Sequence, residues 1–219
     1  MSPAARAAKP RESHHAGLDR ERVVDCAAAM VESGGPEALT MRKLAGELGV
    51  TPTTLYWHVG SRDDIVTAII ERQGERQAAR AIQGATSVER VTDAARSVWT
   101  SALENRQVTR LAYQSGATSL LELGLEVALV RELEAAGLVG VEARDALRSI
   151  LTCLGGFLVL ALRDPDAVPA ERSSTELWAG LIDHGIDPET LAALGQPVDL
   201  ELLFENTIGA VITHWVGRS

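Results

Sequence analysis

A short predicted helix, residues 52–59, carries side chains that could hydrogen-bond or stack on one face. At about 100° per residue, one side of this helix carries Thr53, Thr54, Trp57 and His58, and the mainly apolar side carries Pro52, Leu55, Tyr56 and Val59. Two hydroxyls, an indole and an imidazole could reach base edges and phosphates in the major groove of DNA. The alternative interpretation is that Trp57 and His58 pack beneath another domain.

The residues before this helix predict a turn that would position it. Thr40 can cap a helix whose apolar stripe follows the i, i+3, i+4, i+7 pattern, with Met41, Leu44, Ala45 and Leu48. Gly49 suits a helix end, since glycine adopts the left-handed conformation without strain. Thr51 can cap the next helix, and Pro52 suits its first position. Two helices joined by so tight a turn have helix-turn-helix geometry.

The charge of the chain is divided unevenly along its length. The whole chain has a net charge of −9, with residues 1–62 holding 8 Lys and Arg against 7 Asp and Glu, and later residues holding 13 against 23. A DNA-binding domain needs only a basic contact face, so an acidic body is compatible with it. The acidic body also argues against binding to anionic membranes.

Composition and periodicity predict an all-α fold. Hydrophobic residues make up 46% of the chain and aromatic residues 4%, and no alternating strand pattern is apparent. We expect a flexible amino-terminal arm over residues 1–17, a three-helix helix-turn-helix domain over 18–64 and a larger helical effector-binding and dimerisation domain over 65–219. The first helix, residues 19–33, would be capped by Asp19. The fourth would open at a capping box, residues 61–64, and run to about Ile82.

The rest of the chain reads as a helical body. Ser87 would cap a helix to residue 104, and further helices are predicted over 107–114, 118–136 and 141–163. Residues 164–198 read as an extended loop, with a short helix near 177–182. Asp199 would open a final helix with a coiled-coil-like seam, Phe204, Ile208, Val211 and Trp215. Residues 150–162, ILTCLGGFLVLAL, are apolar nearly all round, which predicts burial on every side and hence a partner subunit.

Residues 18–70 resemble the DNA-binding head of the tetracycline-repressor family of bacterial regulators. The resemblance lies in Arg42-Lys43-Leu44-Ala45, Leu48-Gly49-Val50 and, above all, TLYWHV at residues 54–59. It implies DNA contacts at Thr40, Arg42, Thr53, Thr54, Tyr56, Trp57, His58 and Arg62. Pro52 and Thr53 stand where tetracycline-responsive members have a polar base-reading residue and then proline, so we expect a different operator sequence.

The same resemblance implies a ligand-responsive homodimer that represses transcription by binding a palindromic operator in double-stranded DNA, and the lack of an apparent signal peptide predicts that it does so in the cytoplasm. A small-molecule effector of unknown identity would bind in the body, near Trp99, Leu103, Tyr113, Gln114 and Phe157. The alternative is that Trp99 and Phe157 are plain core residues. The stretch RQVTRLAYQSG lacks the histidine that helps tetracycline-responsive members to hold a drug-bound metal, which argues against a tetracycline effector. Repression and activation are not distinguished by the sequence.

A helical carrier or enzyme with a vestigial head is the alternative function. No nucleophile triad, metal-binding spacing or phosphate loop is apparent, so we expect no enzymatic activity and no cofactor. His14 and His15 are adjacent in the arm without further ligands, and we assign no metal. Cys26 and Cys153 read as buried, inert thiols. No signal peptide is apparent, and residues 150–162 are too few to span a membrane.

Overall fold

Every regular element is helical in the part of the chain that the computed structural model describes, residues 19–163, 177, 178, 180 and 185–217. This confirms the predicted all-α class. The helices are α1 (Arg20–Gly34), α2 (Met41–Glu47), α3 (Pro52–Val59), α4 (Arg62–Ala78), α5 (Ser87–Glu104), α6 (Arg106–Ser115), α7 (Thr118–Ala135), α8 (Val141–Leu162), α9 (Pro188–Leu194) and α10 (Leu200–Val216). The predicted arm and half of the predicted 177–182 helix, residues 179, 181 and 182, lie outside the described residues.

Two compact units make up the chain, and the division falls inside α4, between Ile69 and Ile70. In the first unit, α1 to α3 and the start of α4 share a small apolar core that includes Val23, Ala27, Val31, Leu44, Leu55 and Ile65. A 3₁₀ turn at Pro36–Ala38 links α1 to α2. Each helix here has few buried residues, so its position depends on tertiary packing rather than on helix propensity.

The predicted caps of the first unit are confirmed. The Asp19 carboxylate accepts from the Glu21 N–H at 3.4 Å, and the Thr40 hydroxyl accepts from the Lys43 N–H at 3.3 Å. At α4 the capping box is reciprocal: Ser61 N–H donates to Asp64 Oδ2 at 2.7 Å, and Asp64 N–H donates to Ser61 Oγ at 3.2 Å. Side-chain and then backbone hydrogen bonds from Ser61 lower the pKa of Asp64. Each cap satisfies N–H groups that a helix start would otherwise leave unpaired.

The second unit is a bundle in which α5 packs against α7, α8 and α10. Its core includes Val91, Ala95, Trp99, Leu129, Leu133, Ile150, Leu154, Phe204, Ile208 and Ile212. Two ion pairs join α5 to its neighbours at the rim. Arg96 Nε donates to Glu205 Oε1 at 2.7 Å on α10, and Arg90 Nε donates to Glu132 Oε2 at 2.5 Å on α7. The hydrogen bonds from Arg96 lower the pKa of Glu205.

Three predictions about where helices begin, end or form are wrong. Thr86, not Ser87, caps α5, because its hydroxyl accepts from Glu89 N–H at 3.2 Å while the Glu89 carboxylate accepts from Thr86 N–H at 3.1 Å. The fourth helix ends at Ala78 rather than near Ile82. Helix α9 forms inside the predicted loop, because Asp187 caps it and Pro188 occupies its first turn, where proline is tolerated.

Within the single chain, each of the last two long helices buries one stripe of side chains. In α10 the fully packed stripe is Phe204, Ile208, Ile212 and Val216, whereas Val211 and Trp215 lie at the edge of that core. In α8 one stripe is buried, but Val159 is 61% exposed and Leu160 59% exposed within the single chain. Over its full length α8 is long and apolar enough to cross a membrane, unlike the shorter run considered above. It packs against α5, α7 and α10 as a core helix.

Helices α4 and α7 cross at glycines within the second unit. A Cβ added to Gly74 would lie 2.6 Å from the carbonyl oxygen of Leu120, and one added to Gly124 would lie 2.5 Å from the Cβ of Ala78. Both distances are shorter than a carbon contact permits. The two backbones therefore approach each other so closely that only hydrogen fits at positions 74 and 124.

Gly74→Ala should therefore lower the free energy of unfolding. We expect a loss of about 1–3 kcal/mol, the usual cost of overpacking against backbone, measured by urea unfolding followed by circular dichroism. Gly46→Ala is the matched control, since its new Cβ would meet no atom within 4 Å. The control should be neutral or slightly stabilising, because alanine favours a helix more than glycine does. Equal stability of the two variants would contradict the close crossing.

Candidate functional site

The turn between α2 and α3 fixes the direction of α3. Gly49 has φ +68°, and the Val50 N–H donates to the Ala45 carbonyl oxygen at 2.9 Å. The Thr51 hydroxyl then accepts from the Thr54 N–H at 3.2 Å, with Pro52 in the first turn. These local bonds start α3 immediately after α2 ends, which gives the helix-turn-helix arrangement that the sequence predicts.

Two side chains hold α3 in the core of the first unit. Leu55 is completely buried and Val59 is 8% exposed, whereas the indole of Trp57 is 86% exposed. Thr53 and His58 are exposed beside it. The helix therefore presents hydroxyl, indole and imidazole groups to solvent, and the alternative of Trp57 packed beneath another domain is not what the single chain shows.

Two residues on the mainly apolar side of α3 reach solvent. Pro52 is exposed and Tyr56 is 52% exposed. An eight-residue helix lying across α2 and α1 buries only a narrow strip, so the edges of its apolar side reach solvent. Tyr56 consequently lies on the outer surface with its hydroxyl available.

The remaining predicted contact residues differ in their surroundings. Arg42 is exposed on α2, whereas Thr40 caps that helix. The Thr54 hydroxyl lies 2.9 Å from that of Thr51. Six of the eight positions are thus exposed, namely Thr40, Arg42, Thr53, Tyr56, Trp57 and His58, and Thr54 and Arg62 are half-buried.

Arg62 has a structural role that the sequence did not indicate. Its Nε donates to the Leu39 carbonyl oxygen at 2.9 Å and its Nη2 to the Pro36 carbonyl oxygen at 3.3 Å. The side chain thereby ties the start of α4 to the segment before α2. A guanidinium has five N–H donors, so a phosphate contact by the others stays a prediction, secondary to this bracing.

The predicted effector residues fall into two groups, and the first lies in the core. Trp99 stacks on Phe204, with ring centroids 4.6 Å apart and planes at 15°. Phe157 meets both rings edge-on, at 6.3 Å from Trp99 and 5.5 Å from Phe204. Leu103 is partly buried against the same core. These rings join α5, α8 and α10, and Phe204, which the sequence suggested only for the seam, completes the cluster.

The second group lines a cavity of about 530 Å³ between α6 and the end of α8. Tyr113 and Gln114 belong to its wall, together with Arg110, Leu158, Val159, Leu160, Leu162 and Arg163. The sequence pattern did not indicate the two arginines. Arg110 could have been found, because it precedes Tyr113 by three residues and so shares its helix face.

The electrostatics near this cavity keep Tyr113 uncharged. Burial, and then the nearby charge of Glu122, raise the pKa of the Tyr113 hydroxyl. Burial also raises the pKa of Glu122, with Glu126 adding to the effect and Arg148 opposing it. On the first turn of α6, Gln107 Oε1 is buried and has no hydrogen-bond partner among the described residues. The phenol therefore stays a neutral hydrogen-bonding group at neutral pH.

Metal and thiol chemistry find no support in the described residues. No group of three or more His, Cys, Asp or Glu side chains there lies close enough together to hold a metal ion. Cys26 and Cys153 are free and half-buried, and burial is the main cause that raises the pKa of each thiol. Neither is therefore activated as a thiolate.

The chain is similar to known bacterial regulators in its head and in its fold. Residues 23–69 match the family described as bacterial regulatory proteins, tetR family. Tetracycline repressor protein class D of Escherichia coli is 43% identical over 54 residues, 25% of each protein. HTH-type transcriptional repressor DrrR1 of Streptomyces coeruleorubidus is 25% identical over 162 residues, 74% of this chain and 52% of that protein.

The overall fold is also shared with a solved structure. The Streptomyces coelicolor TetR family protein ActR, in complex with actinorhodin, has a TM-score of 0.70 at 20% identity, over 93% of this chain and 99% of ActR. The chain covers about a quarter of the tetracycline repressor's length and about half of DrrR1's, so its likeness to ActR over nearly the whole chain is one of fold. The head of the chain, residues 23–69, is thus similar in sequence to the tetR family of bacterial regulatory proteins, and the chain shares its fold with ActR.

Proposed function

We propose that this protein is a homodimeric, ligand-responsive repressor that binds a palindromic operator in the cytoplasm and is released by a small-molecule effector. The observation that carries the proposal is the outer face of α3. A tryptophan that is 86% exposed lies there beside Tyr56, Thr53 and His58, on a helix that Leu55 and Val59 hold in place. Exposed aromatic patches of this kind mark binding surfaces.

The chemistry of this face suits double-stranded DNA. Hydroxyl and imidazole groups can hydrogen-bond to base edges in the major groove, and the indole can contact a thymine methyl. Arg42 and Tyr56 lie at its border, where phosphate contacts would fix the register of the helix without reading sequence. We therefore assign base reading to Thr53 and Trp57, and phosphate binding to Arg42 and Tyr56.

Uncovered residues on α8 and α10 support a homodimer. Val159 and Leu160 on α8 and Leu202 and Leu203 on α10 are exposed apolar side chains. Cβ atoms added to Gly155 and Gly156 on α8, or to Gly209 on α10, would meet nothing within 4 Å in the single chain. A second copy packed on these two helices would cover the apolar residues, and the glycines would allow close helix approach. Two heads could then read half-sites one helical turn apart, about 34–36 Å.

The body supports ligand control. It holds a cavity of about 530 Å³, within the usual size range of small-molecule sites, and ActR, of similar fold, binds actinorhodin. Helix α4 contains residues of both units, and we propose that the ligand acts by changing its position. The free energy available for release is the ligand's difference in affinity between the DNA-binding and released states.

Selection of duplexes from a random pool by the purified full-length protein tests DNA recognition. At moderate salt we expect a palindrome whose half-sites lie about one helical turn apart. Affinity for the selected duplex should fall steeply as salt rises, because phosphate contacts release counterions. Failure of the folded dimer to enrich any motif would contradict the proposal, and turnover of a substrate without DNA retention would favour the alternative of a carrier or enzyme.

Variants of the head separate phosphate contacts from base reading. Arg42→Ala and Tyr56→Phe should each weaken binding to all duplexes by a similar factor, about tenfold, and Arg42→Ala should reduce the salt slope by about 1. Thr53→Ala and Trp57→Phe should instead change which bases are preferred. Arg131→Ala, an exposed change in the body, is the control. A uniform loss of affinity for Trp57→Phe in repeated selection would count against base reading.

The proposed dimer surface can be tested by placing one charge on it. Gly156→Glu should give monomers at micromolar concentration, because the single chain has room for the side chain but a packed partner would bury the charge. Leu123→Glu on α7, where leucine is 62% exposed, should leave the dimer intact. Light scattering after size-exclusion chromatography measures both masses. A dimeric Gly156→Glu variant would refute this surface as the interface.

A further inference from the structure

Helix α3 lacks the side chains that read guanine, adenine and cytosine most specifically. Its sequence, PTTLYWHV, contains no Arg, Lys, Asn, Gln, Asp or Glu. Arg and Lys recognise guanine through its two acceptors, Asn and Gln pair with adenine, and Asp and Glu accept a hydrogen bond from cytosine. A helix without these six residue types must discriminate between base pairs in another way.

The hydroxyl groups of this helix discriminate weakly. The Thr54 hydroxyl lies 2.9 Å from that of Thr51, which also accepts from the Thr54 N–H at 3.2 Å. These bonds engage both hydroxyls at the start of α3. The Thr53 hydroxyl and the His58 imidazole are exposed, but a threonine hydroxyl can pair with more than one base. Hydrogen bonds from α3 therefore define only part of a base sequence.

Exposed carbon surfaces make up most of the outer face. Trp57 is 86% exposed and Tyr56 52%, and Pro52 is exposed in the first turn. Residues four apart are neighbours on a helix surface, so Pro52 lies beside Tyr56, and the methyl group of Thr53 lies beside Trp57. The first residues of a recognition helix are the ones that contact base edges. The part of α3 that would meet the bases is thus largely apolar.

The apolar group that base pairs present in the major groove is the C5-methyl of thymine. Proline has no backbone N–H, and its ring fixes the backbone angle φ. The Pro52 side chain can therefore offer a base a rigid carbon surface and no hydrogen bond. The indole of Trp57 supplies a larger apolar surface with only two rotatable side-chain bonds. Both side chains match a methyl group better than any polar base edge.

We propose that α3 recognises thymine chiefly through its C5-methyl group, with Pro52 and Trp57 as the contacting side chains. This makes Pro52 a specificity-determining residue in addition to those that the family resemblance implies. The inference names the base chemistry of the operator, and it rests on the proposed function. Each half-site should carry thymine at the position that faces Pro52 and at the position that faces Trp57.

Removal of single methyl groups from the selected duplex tests this recognition. Deoxyuridine replaces thymine at one position of the half-site at a time, on both sides of the palindrome, and keeps the base pairing and the O4 acceptor. At the positions that face Pro52 and Trp57, the affinity of the full-length protein should fall about fifteenfold, the effect of two lost methyl contacts. Thymines outside the half-sites are the control positions. Equal affinity for thymine and deoxyuridine at every position would overturn the proposal.

Variants of α3 assign each methyl group to a side chain. Pro52→Ala should bind thymine and deoxyuridine equally at one sensitive position, and Trp57→Ala should do so at another. Pro188→Ala, at an exposed proline in the first turn of α9, is the matched control and should retain both losses of affinity. Pro52 and Trp57 are exposed, so thermal unfolding of the variants should change little. A deoxyuridine effect that persists undiminished in either variant would refute the contact assigned to that side chain.

The outcomes separate this inference from the proposed function. A folded dimer that enriches no duplex would refute the proposed regulator, and methyl recognition with it. A protein that enriches a palindrome but binds it equally with thymine or deoxyuridine would refute methyl recognition alone. A palindrome whose methyl effects disappear in Pro52→Ala and Trp57→Ala, but not in Pro188→Ala, would support both.

Discussion

The proposed DNA-binding head depends on the burial of two side chains of α3, Leu55 and Val59. A helix of eight residues is not stable in water by itself, so these two contacts must hold it against α1 and α2. The cap at Thr51 and the left-handed turn at Gly49 set where it begins. Because so narrow a strip is buried, the rest of the helix is free to face a partner. The two buried side chains therefore set the direction in which the exposed face of α3 points.

Local features of the head followed from the sequence because they depend on residues three or four positions apart. A hydroxyl or carboxylate before a helix accepts a hydrogen bond from a nearby N–H whatever the remainder of the chain does, and this holds for Asp19, Thr40, Thr51 and Ser61. The sequence wrongly predicts an extended loop at residues 188–194, where Pro188 favours a break in regular structure. A proline in the first turn, after a capping Asp187, instead starts a helix.

Features that join distant residues could not be predicted in this way. Arg62 braces carbonyl groups at Pro36 and Leu39, and only the packed three-helix head brings those groups within its reach. Trp99 and Phe204 stack although more than a hundred residues separate them. The family resemblance supplied a general effector region but not its chemistry. Arg110 and Arg163 line one cavity because the end of α8 lies beside α6, and the sequence does not show that these two helices are neighbours.

Fluorine NMR tests most directly whether the outer face of α3 contacts DNA. Protein labelled with fluorotryptophan would be titrated with its selected duplex. The chain has four tryptophans, and a Trp57→Phe variant assigns the resonance of Trp57. If α3 contacts DNA, the Trp57 resonance should shift and broaden as one duplex binds two chains, while the resonance of the buried Trp99 should change little. A Trp57 resonance that stays at its free position with the duplex fully bound would show that another surface of the protein contacts DNA.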